Sequence, residues 1–93
     1  MSAAAERIES VLRERFDPLH FEVRDDSAKH VGHPGATSGG GHFQVLIVAA
    51  AFEGLGRLDQ HRQVNDALRE LFGREIHALA LKTLAPSEWG KAS

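Results

Sequence analysis

Six histidines and no cysteine are present in the chain, and three of the six, His30, His33 and His42, crowd one glycine-rich connection between two apolar segments. Neutral imidazole is the commonest protein metal ligand and changes charge near physiological pH, so a histidine cluster in a loop suits the capture, sharing or sensing of an ion. The missing thiolates matter equally. Iron–sulfur clusters are normally held by Cys, as are most structural zinc sites, so a cluster or soft metal bound here takes its thiolates from another molecule. The other three histidines fall in regular elements. His20 alternates with apolar neighbours and reads as the wet face of a strand. His61 precedes Val64 on the apolar face of a helix and reads as a packed, hydrogen-bonded structural residue. His77 opens a strand on the side of Leu79 and Leu81, where its imidazole can reach the sheet rim. A loop folded back across that rim brings His77 and His30 to one ion.

The elements that position these residues follow from periodicity. Ile8, Val11, Leu12 and Phe16 have helical spacing, with Ser2 as N-cap and Pro18 ending the pattern. Leu19 to Arg24 alternates as a half-buried strand, and the apolar run Phe43 to Phe52 reads as a central one. A second helix runs from Leu58 to Phe72, presenting Val64, Leu68 and Leu71, with Gly73 as its stop. Ile76 to Thr83 is a third strand, and Pro86-Ser87-Glu88-Trp89 suits a short closing helical turn. The order α-β-β-α-β-α predicts an α+β fold in one domain, residues 1–93, with a three-stranded mixed sheet and helices on one face. Within it, the loop 25–41 is expected to be flexible, being glycine-rich and poor in apolar anchors, and the tail 90–93 disordered.

Composition bounds the function. Ninety-three residues leave little room for an enclosed substrate cavity, so function belongs on the surface. A net charge of −2 supplies no global basic field, and nucleic-acid binding would need a local patch. The candidates are Arg57, Arg62, Arg69 and Arg74 on or just beyond the second helix, with Lys82; Asp59, Asp66 and Glu70 oppose them. No Ser/His/Asp spacing, nucleotide loop or carboxylate pair marks an enzyme. The N-terminus lacks a secretory apolar region and Val45 to Phe52 is too short to cross a bilayer, so a cytoplasmic protein without membrane contact is expected.

Taken together, Asp25-Asp26-Ser27, His30, Gly32-His33, His42-Phe43-Gln44-Val45, Phe52-Glu53-Gly54-Leu55, His61-Arg62 and Ile76-His77-Ala78-Leu79 resemble the BolA family over nearly the whole chain, from about Ala5 to Trp89. The resemblance implies a domain similar to class II KH folds. It also implies a partner: a monothiol glutaredoxin carrying Cys-Gly-Phe-Ser, with which BolA proteins form heterodimers bridged by a [2Fe–2S] cluster that also uses glutathione. The family's ligand positions fall on His30 in the loop and His77 opening the last strand, with His33 able to substitute for His30. A histidine in the loop, rather than a cysteine, marks the variant associated with a more persistent cluster. No cofactor is expected in the isolated chain, which would be a monomer or weak homodimer. Gly32-His33-Pro34-Gly35 matches the G-x-x-G clamp of KH modules but lies between strands, against conventional RNA binding. The expected function is an iron–sulfur trafficking or iron-status adaptor; the alternative, also associated with the family, is a DNA-binding transcriptional regulator.

Overall fold

The computed structural model describes residues 3–26 and 41–92. Helix α1 spans Ala3–Phe16 and buries Ala5, Ile8, Leu12 and Phe16, a stripe that returns to one side every three or four residues. Asp17 then takes a positive φ of 46°, which Asp tolerates better than most side chains, and its N–H closes onto the Arg13 carbonyl at 3.0 Å. Pro18 prevents continuation. Strand β1 (His20–Asp25) pairs antiparallel with β2 (Gly41–Val48), which pairs parallel with β3 (Ile76–Leu84). The sheet order is β1-β2-β3, and α2 (Arg57–Ala67) makes the crossover between the parallel strands.

Phe43, Val45 and Ile47 of β2 join the α1 stripe, Phe52, Val64, Leu68 and Leu71 in one apolar core. Phe21 and Val23 of β1 and Leu79 and Leu81 of β3 pack against it. The alternate residues lie on the opposite sheet face, in rows set by register: His20 with Val48 and Leu84, Glu22 with Leu46 and Lys82, Arg24 with Gln44 and Ala80. The mixed sheet is as expected and α1 and α2 lie against one face, but α3 (Pro86–Ala92) reaches the other face, where Trp89 stacks on His20.

Four boundaries differ from the sequence expectation. The apolar run after Val48 leaves the sheet for a 3-10 turn at Ala50–Phe52 that carries Phe52 into the core. Helix α2 ends at Ala67 rather than Phe72. Leu68 and Leu71 keep their buried places through tighter turns, the N–H of Leu71 bonding to the Leu68 carbonyl at 2.8 Å. Gly73, at φ 83°, serves the following turn. Asp25 and Gly41 belong to strands, so the connection is shorter than 25–41; the flexibility expected of its remainder lies outside the described residues. Helix α3 runs from Pro86 to Ala92, so the expected disordered tail is helical to that point.

The polar residue buried on α2 is Gln60 rather than His61. Gln60 is 2% exposed and uses its full hydrogen-bonding capacity. Its amide donates to the carbonyls of Leu55 at 2.9 Å and Phe52 at 3.4 Å, and its oxygen accepts from Arg57 Nη1 at 2.8 Å and Thr83 Oγ1 at 2.7 Å. His61 is half-buried and outside the core. Gln60→Ala leaves the buried Thr83 hydroxyl and the loop carbonyls short of partners, and is expected to lower stability by about 1–3 kcal/mol. His61→Ala is expected to stay within about 0.5 kcal/mol of the parent. Urea midpoints of the two variants check the ranking.

Arg57 extends the same network to α3. Besides Gln60 it donates to the Thr83 carbonyl and, through Nη2, to Glu88 Oε2 at 2.8 Å. Glu88 Oε1 accepts the Ala85 N–H at 2.9 Å, the reciprocal half of a capping box. Glu53 accepts the Ser87 N–H at 3.0 Å and its hydroxyl at 2.9 Å. The Ala85 N–H, opposed by desolvation and followed by Arg57, holds the Glu88 carboxyl below its ordinary value. A carboxylate with a lowered native pKa stabilises fully above its unfolded value, and that contribution is lost as pH falls through the native one. Trp89, the only tryptophan in a chain without tyrosine, stacks on His20 with ring centroids 4.8 Å apart and reports on α3. Below about pH 4.5 its emission is expected to shift as α3 loosens, and the Glu88→Gln variant should lack most of that step. Tryptophan fluorescence across pH 6 to 2 makes the comparison.

Candidate metal centre

Parallel pairing of β2 with β3 runs regularly from Val48↔Leu84 to His42↔Ala78, but Gly41 pairs with Ile76. One extra residue, His77, is inserted in β3 at this point. Strict alternation would send His77 to the core face with Leu79 and Leu81, as expected from sequence. The bulge gives that inward place to the fully buried Ile76 and leaves His77 exposed. Re-aiming one side chain while ending a ladder is a common use of a β-bulge.

The His77 imidazole lies against that of His42, with centroids 5.2 Å apart and planes tilted by 44°. His42 is half-buried, and Asp26, Gln44, Ala78 and Ala80 wall the depression beside it. Both anchored ends of the connection carrying His30 and His33 meet this rim: the Asp26 N–H bonds to the His42 carbonyl at 2.7 Å, and the Gly41 N–H to the Glu75 carbonyl at 2.9 Å. His30 and His33 themselves, and the Gly32–Gly35 motif, lie outside the described residues. Among the described residues no group of three or more His, Cys, Asp or Glu is assembled for a metal ion. Two imidazole donors without a thiolate, one exposed and one half-buried, fit part of a coordination shell that another molecule completes.

The pairing of His42 with His77 went unanticipated because the bulge has no mark in the sequence. The only available signal was that two apolar residues, Leu71 and Ile76, flank a turn whose strand phase depends on a single residue. His20 sits on the face opposite the core as expected, but half-buried under Trp89 rather than solvent-facing, its Nε2 2.6 Å from Glu22 Oε2, at the opposite end of β1 from Asp26.

The basic residues do not form one patch. Arg57 is committed to the α3 network. Arg62 meets Asp59 at 3.8 Å, and Arg69 meets Asp66 at 3.7 Å. Arg74 is exposed in the turn after α2, while Lys82 is exposed in the row with Glu22 and Leu46 on the other sheet face.

Fold and site together define a small α+β domain with a histidine-bearing sheet rim, and comparison with known proteins places it. A family model described as BolA-like protein matches residues 12–88, and the chain belongs to the BolA-like family. It is 38% identical over 86 residues to human BolA-like protein 1, covering 92% of this chain and 61% of that protein, so it spans about three fifths of this relative's length. It is 40% identical over 84 residues to the DNA-binding transcriptional regulator BolA of Escherichia coli, covering 90% and 77% respectively. Among solved structures, the BolA domain of SufE1 from Arabidopsis thaliana superposes with a TM-score of 0.81 at 33% identity, covering 95% of this chain and 98% of that one. No helix among the described residues is long and apolar enough to cross a membrane.

Proposed function

We propose that this protein is an adaptor in iron–sulfur cluster trafficking or iron-status signalling, acting without catalysis. In this reading it joins a monothiol glutaredoxin and shares a [2Fe–2S] cluster, its cargo, through His77 and a loop imidazole, His30 or His33. The observation carrying the proposal is the exposed His77 on a bulge, at the rim where both ends of the histidine-bearing connection are anchored. The chain has no thiolate to offer, so glutaredoxin and glutathione supply them. Imidazole in place of thiolate raises a cluster's reduction potential, as in Rieske centres. The chain's own residues divide the labour: sheet backbone fixes His77, and the connection between β1 and β2 supplies the second imidazole.

The test uses the purified chain, a glutathione-loaded monothiol glutaredoxin and reconstituted cluster. His77→Ala is expected to shift the visible circular dichroism and shorten cluster lifetime under a chelator by roughly tenfold or more. His30→Ala should be milder because His33 can take its place, and the double loop variant should approach His77→Ala. A parental spectrum and lifetime for His77→Ala, in a variant that keeps its far-ultraviolet spectrum, would remove the proposed site.

A second reading, a DNA-binding regulator, has its support in the name of the Escherichia coli relative. In this chain it would rest on Arg62, Arg69 and Arg74, since Arg57 is internally committed and Lys82 faces elsewhere. With about three phosphate contacts, the logarithm of affinity should fall with that of salt at a slope near −3. Fluorescence anisotropy on a labelled duplex measures it, and weak binding is expected; tight, sequence-selective binding at physiological salt would favour this reading over the adaptor.

A further inference from the structure

We infer that His42 and His77 form a two-imidazole chelate on the sheet rim that binds a single borderline divalent cation, zinc being the simplest, independently of the loop histidines. The inference does not require the glutaredoxin complex.

Two independent features of the backbone carry it. His42 belongs to the outward set of β2, between core residue Phe43 and the strand start. Regular alternation would place His77 on the inward set, across the sheet from it. Only the extra residue between Ile76 and Ala78 lets the two rings meet, and they do, at 5.2 Å. That separation has a chemical reading. A zinc–nitrogen bond of roughly 2.0–2.1 Å puts the ion about 3.2 Å from each ring centroid, and a tetrahedral angle then separates the centroids by about 5.2 Å. The observed spacing, within the ordinary range of ring contacts, meets the centroid condition for two imidazoles sharing an ion, with both rings on paired strands. Little ordering entropy remains to oppose binding.

The surrounding side chains select the class of ion. The Asp26 carboxylate, at the depression beside His42, accepts from Gln44 Nε2. The pair itself presents nitrogen donors, which suit Zn²⁺, Ni²⁺ or Cu²⁺ and not Mg²⁺ or Ca²⁺. Ala78 and Ala80 beside His42 leave room for the two further ligands of a tetrahedral ion. Two protein donors make an open site, suited to an ion held weakly and completed by water or an incoming ligand.

The experiment titrates Zn²⁺ alone into the full chain, without glutaredoxin or glutathione, by isothermal calorimetry, with imidazole resonances followed by nuclear magnetic resonance. One equivalent is expected to bind and to shift the His42 and His77 ring signals. His42→Ala and His77→Ala should each weaken binding roughly tenfold or more, while the His30→Ala/His33→Ala double variant should bind within about threefold of the parent. Mg²⁺ should not compete. The ring signals of the unsubstituted chain decide the site even if a variant folds poorly. Tenfold loss in the loop double variant, parental affinity in His42→Ala, or no binding by the parent each overturns the inference. A chain that binds Zn²⁺ through this pair yet forms no coloured heterocomplex would separate this site from the adaptor reading.

Discussion

Strand β2 must satisfy an antiparallel neighbour on one edge and a parallel neighbour on the other, and the rest of the molecule follows from that constraint. Parallel pairing requires a crossover, which α2 supplies, and α1 fills the remainder of the same face. Because side chains alternate, a one-residue slip of β2 would turn Phe43, Val45 and Ile47 out and His42, Gln44 and Leu46 in. The core thus fixes the register, and the register fixes which imidazole faces the open side. A site residue is held here by apolar packing on the far side of its own strand.

The two ends of the parallel ladder are finished in opposite ways. At Val48↔Leu84 the chain turns into α3, held by Gln60, Arg57, Glu53 and Glu88 through bonds that leave no capacity of Gln60 unused. At Gly41↔Ile76 the ladder is interrupted by one residue. The polar network removes freedom at the end where β3 leaves the sheet, so the phase of β3 is set from there upward. The bulge absorbs the mismatch between that phase and the buried position that Ile76 takes beside the turn at Leu71. The Leu71 carbonyl accepts the N–H groups of Arg74, Glu75 and Ile76, which holds the turn and leaves the irregularity to fall on His77.

Much of this was legible in the sequence, because strand alternation and helical stripes are local signals. Ile8, Leu12 and Phe16 spell out α1, and Phe21 and Val23 the inward face of β1. Features set by competition between elements were not legible. Helix α2 reads as continuing to Phe72 because Leu68 and Leu71 keep its spacing, yet tighter turns satisfy the same burial with fewer residues in α-geometry. His61 has the phase of a packed residue, but a long amide one position earlier can answer four polar groups at once, which an imidazole cannot. Arg57 has the composition of a phosphate contact, and only the arrival of α3 across the sheet end commits it elsewhere. His77 was identified as a rim residue by its position at the strand start. Its orientation depended on a bulge, which is a property of two strands together.

The division between sheet-borne and loop-borne imidazoles has a thermodynamic consequence for the proposed adaptor. A donor fixed by packing contributes its bond with little further ordering, whereas any backbone residue that binding itself has to fix costs roughly 1–2 kcal/mol. In the proposed adaptor the sheet ligand would therefore contribute more to both engagement and lifetime of the cargo, and the loop ligand would be the more readily exchanged of the two. Exchange with a recipient would then begin with release of the loop imidazole, the vacated position opening to an incoming donor while the sheet ligand stays bound. A site built wholly on the sheet would lack that asymmetry, and a site built wholly on the loop would lack a fixed point from which to transfer.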